Sequence, residues 1–224
     1  MQKDQYHIFD NTECLAAGAA SFISQKIKEC LTTQPICRIS LPGGNTPTLC
    51  LQNLAKLTLP WAKIEWYMGD ERCLPIGDAE RNDTMLLQSL FNGTGPSTEH
   101  FFPMKSELGA QAAAENYQAK IASFDALDIV ILGMGEDGHT ASLFPGNPAL
   151  TLTDLVVPVF HAPKPPPERV SLSISTLQKA KNRIVLAPGA GKKEALQKLS
   201  MGEPLPIALI GDKHWFLDRE AAID

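Results

Sequence analysis

The stretch DIVILGMGEDGHTASLFPG, residues 128–146, decides how the chain folds. Its apolar run, residues 129–132, empties into a glycine-rich turn that holds one acid and one histidine, Asp137 and His139. Four apolar residues bounded by glycine suit a strand buried in a parallel sheet. In open α/β sheets, ligands collect where the carboxyl ends of such strands meet their loops. A histidine there changes charge near neutral pH, and an acid two residues away is placed to fix its tautomer.

The pattern repeats on both sides. Residues 36–41 and 64–68 read as strands, ending at Pro42-Gly43-Gly44 and at Gly69-Asp70-Glu71-Arg72. Residues 12–31 carry Leu15, Ala19, Phe22, Ile23 and Ile27 at helical spacing, with Asn11 or Thr12 as the cap. Asn45 or Thr46 caps a second helix with Pro47 near its first turn. Residues 83–90 and 110–124 read as helices. Beyond the opening stretch, residues 156–160, 170–174, 184–187 and 207–210 read as strands, and 192–199 as a helix. Alternation of this kind predicts an α/β fold, a mostly parallel sheet in a three-layer, Rossmann-like arrangement with helices on both faces. No repeat is present, and the proline-rich residues 163–167 are too few for a linker, so residues 1–224 are expected to form one domain.

The chain has 224 residues, 44% of them hydrophobic and 20% charged, with a net charge of −5. That balance suits a folded globular protein and argues against nucleic-acid binding, which needs a basic stripe. No basic cluster is longer than Lys192-Lys193. No apolar run approaches the roughly 18 residues of a membrane span. Residues 15–23 are short and follow Asp4, Asp10 and Glu13, unlike a secretory signal. Five cysteines without a CxxC pair read as reduced thiols, so a cytoplasmic location is expected. On such a chain the sequons at Asn82 and Asn92 stay unused.

Gly133-x-Gly135-x-x-Gly138 formally matches the dinucleotide fingerprint. Against it stand the late position of the strand, the interruption at Pro145, and the lack of an acid closing the next strand, so no cofactor is expected. Gly191-Lys192 is not a P-loop, because Leu186 stands where the first glycine belongs and Lys193 replaces the hydroxyl residue. No HExxH pattern or Cys/His cluster supports a metal, and no GxSxG elbow supports a serine nucleophile.

Several positions keep two readings. Pro42-Gly43-Gly44-Asn45-Thr46-Pro47 is either an anion cradle at a helix N-terminus or a turn that needs glycine for its dihedrals. Arg72 is either an anion clamp oriented by Asp70 or Glu71, or part of a solvated charged turn. Lys164 and Arg169 are either surface charges or anion ligands. Lys192 at a helix start opposes the dipole unless an anion compensates. His139 with Asp137 is either acid/base equipment or a structural cap, whereas His7, His100, His161 and His214 lack a glycine-loop setting.

Four segments in order, Pro42–Pro47, Asp70-Glu71-Arg72-Cys73-Leu74-Pro75, residues 132–146 and Lys164-Pro165-Pro166-Pro167-Glu168-Arg169, resemble the 6-phosphogluconolactonase family over nearly the whole chain. The resemblance implies the fold of the glucosamine-6-phosphate deaminase and ribose-5-phosphate isomerase type. It also implies hydrolysis of 6-phospho-D-glucono-1,5-lactone to 6-phospho-D-gluconate in the oxidative pentose phosphate pathway; a monomer or weak homo-oligomer is expected. By position, Gly43, Gly44, Asn45 and Thr46 would hold the phosphate, Arg72, Arg169 and Lys192 would neutralise it, and His139 would be the general base with Asp137 as its partner. Lys193 competes with Lys192 for its role. Arg81-Asn82 stands where the family often has Ser-Asn, which puts a substrate role for that pair in doubt. The runner-up is a sugar-phosphate isomerase or deaminase of the same superfamily, and a non-catalytic sugar-phosphate regulator is the reading from another class.

Overall fold

Residues 4–93 and 95–223 are described by the computed structural model. The first half runs β1 (Gln5–Phe9), α1 (Thr12–Leu31), β2 (Cys37–Leu41), α2 (Asn45–Ala55), β3 (Ile64–Met68), β4 (Asp70–Arg72), α3 (Asn82–Ser89), β5 (Phe101–Phe102) and α4 (Ala110–Ile121). The second half runs β6 (Ile129–Gly133), β7 (Val156–Val159), β8 (Arg169–Leu172), α5 (Ile174–Lys179), β9 (Asn182–Leu186), α6 (Lys193–Ser200), α7 (Pro206–Leu209) and β10 (His214–Asp218).

Seven strands form one sheet in the order β1-β10-β9-β6-β2-β3-β5, and every neighbouring pair is parallel. Its centre is β6, where Ile129, Val130, Ile131 and Leu132 are fully buried. Side chains alternate between faces along a strand, so burial of all four means both faces are covered. On α1, Leu15, Ala19, Ile23 and Ile27 of the expected stripe are buried, Phe22 is only partly buried, and Ala16 and Ala20 join the buried face. Asn11 is its cap, accepting from the Cys14 N–H at 2.8 Å.

The strand order reverses between β2 and β6. From β2 the chain builds outward through β3 to β5, and from β6 it builds the other way through β9 to β10. The loops after β2 and β6 therefore diverge, and a crevice opens between them at the carboxyl end of the sheet.

Several expectations are corrected. Residues 207–210 are not a strand: they fall in and just after α7, which Pro206 starts with its pre-set φ. The last strand is β10, and β1 lies beside it at the sheet edge; neither was expected. Residues 70–72 are not a turn but β4, which pairs antiparallel with β8, and β8 with β7, in a second, three-stranded sheet. The run 170–174 is split, because Ser173 accepts from the Thr176 N–H at 3.3 Å and starts α5 at Ile174. The cap of α2 is Gly44 rather than Asn45 or Thr46, at φ +105°. Lys192 caps α6 instead of lying inside it.

Candidate active site

Loops from the carboxyl ends of β2, β3, β6 and β9, with the start of β8, enclose a cleft of about 330 Å³. Gly43, Gly44, Asn45, Thr46, Arg72, His139, Arg169 and Lys192 all line it, and Lys193 does not. A larger cavity of about 500 Å³ lies beside the edge strand β1, walled by Tyr6, Ile8, Leu196 and Trp215 among others. Its Lys213 is paired with Asp4, so it lacks the four converging cations of the cleft, of which, among the described residues, only Arg72 has a carboxylate partner, Glu80 at 3.7 Å.

One wall of the cleft is backbone. A Cβ on Gly43 would overlap the side-chain amide of Asn82, so the turn can approach α3 only as glycine. Gly44 has a left-handed φ that other residues adopt at a cost. No side chain caps the helix that follows, and its first turn carries no acid. Its leading N–H groups are thus left for an anion.

The facing wall is cationic. Register across β4 and β8 places Arg72 directly opposite Arg169. Two like charges opposite each other in a ladder repel, and an anion between them relieves the repulsion. Arg72 Nη1 donates to the Glu80 carbonyl at 2.8 Å. Arg169, only 7% exposed, donates to the carbonyls of Pro166, Lys164 and Pro165 at 3.2, 3.0 and 3.1 Å. Burial pushes the Arg169 guanidinium down, against the raising charge of Asp70, yet a guanidinium stays charged at neutral pH. Lys164 and Lys192 complete the wall. Burial also pushes the Lys192 ammonium down, with Glu136 opposing.

Between the walls stands His139. Its Nδ1 lies 2.5 Å from Asp137 Oδ1, and its own N–H donates to the same oxygen at 3.2 Å. The contact assigns the ring proton to Nδ1, and among the described residues Nε2 has no hydrogen-bond partner. The turn is tight: the Gly135 N–H donates to the His139 carbonyl at 2.8 Å. The imidazole rests on Phe144 with centroids 4.5 Å apart. Burial lowers the His139 pKa more than the Asp137 carboxylate raises it, which keeps the ring neutral at pH 7. Asp137 does not line the cleft; despite burial, its hydrogen bond to His139 holds its carboxyl below the ordinary range.

In the layer beneath, Asp70 and Glu71 do not hold the Arg72 guanidinium, which lies on Glu80, and their partners are ones that sequence reasoning missed. Asp70, buried at the cleft floor, accepts from Ser142 Oγ at 2.6 Å, and its backbone carbonyl accepts from Asn82 Nδ2 at 2.9 Å. Burial pushes its carboxyl up, against Ser142 and Arg169. Glu71 accepts three backbone N–H bonds, from Arg72 at 2.7 Å and from Asn82 and Asp83 at 2.8 Å. The Arg81-Asn82 pair divides: Arg81 is a buried brace tied to Asp83 and Glu107, whereas Asn82 lines the cleft. Only the contact of Asn82 with Gly43 across the fold reveals this, and no local motif carried it. The cations and amide donors lining the cleft suit an anion, and its one lining acid among the described residues, Asp70, is engaged by Ser142.

The sequence matches the family described as glucosamine-6-phosphate isomerases/6-phosphogluconolactonase over residues 10–217. It is 32% identical to a 6-phosphogluconolactonase of Homo sapiens, covering 96% of this chain and 91% of that protein. It is 30% identical to one of Synechocystis, covering 97% and 96%. The fold is similar to the crystal structure of 6-phosphogluconolactonase from Thermotoga maritima, with a TM-score of 0.90 at 25% identity, over 97% of this chain and all of that one.

Proposed function

The chain belongs to the glucosamine-6-phosphate isomerase/6-phosphogluconolactonase family, and from that premise we propose that its cleft hydrolyses 6-phospho-D-glucono-1,5-lactone to 6-phospho-D-gluconate, the lactonase step of the oxidative pentose phosphate pathway. The observation that carries this reading is one histidine, backed by its own carboxylate, sharing a cleft with a wall of cations. His139 stands opposite the Gly44 turn and the Arg72–Arg169 ladder position within a single cleft.

The phosphate sits against the N–H groups of Asn45 and Thr46, with Gly43 and Gly44 letting it approach, and Arg72, Arg169 and Lys192 neutralise it. Holding the remote phosphate fixes the lactone carbonyl relative to His139, so binding energy is spent on orientation. Neutral His139 Nε2 takes a proton from water as the oxygen attacks the ring carbonyl. The tetrahedral intermediate then collapses, the bond to the ring oxygen breaks, and the imidazolium returns the proton to that oxygen. Asp137 stabilises the imidazolium in between. A lactone is already activated, so neither a covalent nucleophile nor a cofactor is needed. Acid/base catalysis of this kind contributes about 10²–10⁴-fold. No helix among the described residues is long and apolar enough to cross a membrane. A cytoplasmic enzyme, formed of one domain over residues 1–224 and working as a monomer or weak homo-oligomer, fits this reading.

The test is a coupled assay with 6-phosphogluconolactone, unphosphorylated gluconolactone and glucosamine 6-phosphate, each against its spontaneous rate. The phosphorylated lactone should be favoured by at least tenfold in kcat/KM. Equal rates on the two lactones would remove the phosphate site, and turnover of the amino sugar alone would move the chain to the deaminase branch.

A further inference from the structure

At the end of the sheet opposite the cleft, three segments bring a second set of chemical groups together. Cys30 lies in the last turn of α1, Cys37 opens β2, and Asp128 immediately precedes β6. The two sulfurs and a carboxylate oxygen all lie within 4.8 Å of one another. Cys37 and Asp128 are buried and Cys30 is half-buried.

Buried cysteines commonly act as small hydrophobic groups, but this pair shares its space with a carboxylate. Asp128 Oδ2 is fixed by the Arg38 N–H and by Gln34 Nε2, each donating at 2.8 Å. The other oxygen, Oδ1, is buried and faces a cation, the Lys181 ammonium at 2.8 Å. That ammonium also donates to Gln34 Oε1 at 2.8 Å, and its side chain is 56% exposed. The cluster therefore already holds a positive charge, carried on an arm that is more than half exposed to solvent.

We propose that Cys30, Cys37 and Asp128 form a binding site for a borderline-soft divalent cation of the zinc type, with water as the fourth ligand and the Lys181 ammonium displaced outward. Two thiolates and a carboxylate are a donor set that such ions accept in tetrahedral geometry. Zinc–sulfur bonds of about 2.3 Å place tetrahedral sulfurs about 3.8 Å apart, so the ligands need only close slightly. Each thiol loses its proton to bulk water as its metal–sulfur bond forms, and the lysine leaves as the intact ammonium. Burial pushes both thiols up, so they remain protonated until a metal draws the protons off. The bound ion ties α1, β2 and the start of β6 together at the end of the sheet remote from the chemistry.

The experiment uses the full chain, reduced with a phosphine, and titrated with Zn²⁺ against a chromophoric chelator and with Co²⁺. One equivalent should bind, Co²⁺ should give a sulfur-to-metal charge-transfer band, and Zn²⁺ should shield Cys30 and Cys37 from alkylation while exposed Cys14 still reacts. Cys30→Ser should weaken binding by at least tenfold, on the scale that even loss of an outer-shell partner costs. Lys181→Met, which removes the competing ammonium, should tighten it and leave lactone hydrolysis unchanged. Cys37→Ser repeats the first test, and half-buried Cys30 decides if that variant fails to fold. Unchanged affinity in Cys30→Ser, no retained equivalent, or a Cys30–Cys37 disulfide on removal of reductant with no metal held in its presence would each overturn the site.

Discussion

Gly135 sets the distance at which His139 and Asp137 meet. A Cβ at that position would overlap both the imidazole Nδ1 and the Asp137 carboxylate, so the ring can fold back against its own loop only over glycine. The same closeness assigns Nδ1 to the acid and leaves Nε2 for water. Replacing His139 by Ala should lower kcat by about 10²–10⁴-fold with 6-phosphogluconate affinity retained, as general-base loss implies; wild-type turnover in that variant removes His139 from the mechanism. The pH profile has a definite sign. Because burial lowers the His139 pKa below its ordinary 6.5, the active neutral form persists to below that pH, and kcat falls only as pH drops through the lowered value. Asp137 partly opposes the lowering. Asp137→Asn should therefore reduce kcat and move the acid limb still lower, which stopped-flow measurement against the spontaneous rate will read; an unmoved limb would show that the pair is not coupled.

At the scale of elements, the backbone at the start of α3 is satisfied by one side chain of a neighbouring strand. Glu71 on β4 satisfies the N–H groups of Asn82 and Asp83 at the start of that helix, and Asn82 in turn abuts Gly43. Burial pushes the Glu71 carboxyl up to about 7, although three N–H donors favour its ionised form. A raised folded value means the folded chain keeps a proton that the unfolded chain has lost above its ordinary 4.5. This group's contribution to stability should thus decline as pH rises from 4.5 to 7. Glu71→Gln should flatten that slope and cost about 1–3 kcal/mol at pH 8, because an amide has one acceptor oxygen for three N–H groups and leaves at least one buried donor unpaired. Urea denaturation at several pH values checks both; an unchanged midpoint would mean that water satisfies the helix start. The same element marks the limit of what the sequence makes legible. Strands β2, β3 and β6 are buried apolar runs punctuated by glycine, and α1 is a clear periodic stripe, so local pattern alone locates them. By contrast, β1 is largely exposed, β10 mixes histidine and aspartate with its aromatics, and Asp70-Glu71-Arg72 is a strand only because β8 lies beside it. The apolar run 207–210 has no helix or strand signature beyond Pro206. Of the cleft, the glycine turns and His139 are visible locally, whereas Asp70, Asn82 and Ser142 come together only through folding.

On the scale of the whole molecule, the charge distribution opposes its own local site. The net charge of −5 repels a phosphorylated sugar at long range, but at physiological ionic strength that repulsion fades over about 8 Å. At the cleft, Arg72, Arg169, Lys164 and Lys192 converge from three separate segments of the chain, and screening is weakest at buried Arg169. The reversal of strand order between β2 and β6 is what makes this convergence possible, since it parts the loops and lets the small β4-β8-β7 sheet deliver two arginines to the opening. Without a ligand those arginines face each other across the ladder, with the largely exposed Glu80 carboxylate 3.7 Å from Arg72 as its counter-charge, and an anion adds the neutralisation that one surface pair leaves incomplete. Binding should therefore read out as stability. Saturating 6-phosphogluconate, at about 100 times its Kd, should stabilise the fold by about 2.7 kcal/mol, seen as a raised Tm, whereas unphosphorylated gluconate should leave Tm unmoved. Arg72→Ala should leave the unliganded Tm little changed, because the relieved repulsion is offset by the lost contacts with the Glu80 carbonyl and carboxylate, and should shrink the ligand-induced shift while raising KM at least tenfold. Arg169→Ala should lose the shift as well, but with a lower starting Tm, because its guanidinium also satisfies three loop carbonyls. If both variants keep the full shift, the anion lies elsewhere and the cationic wall serves only the fold.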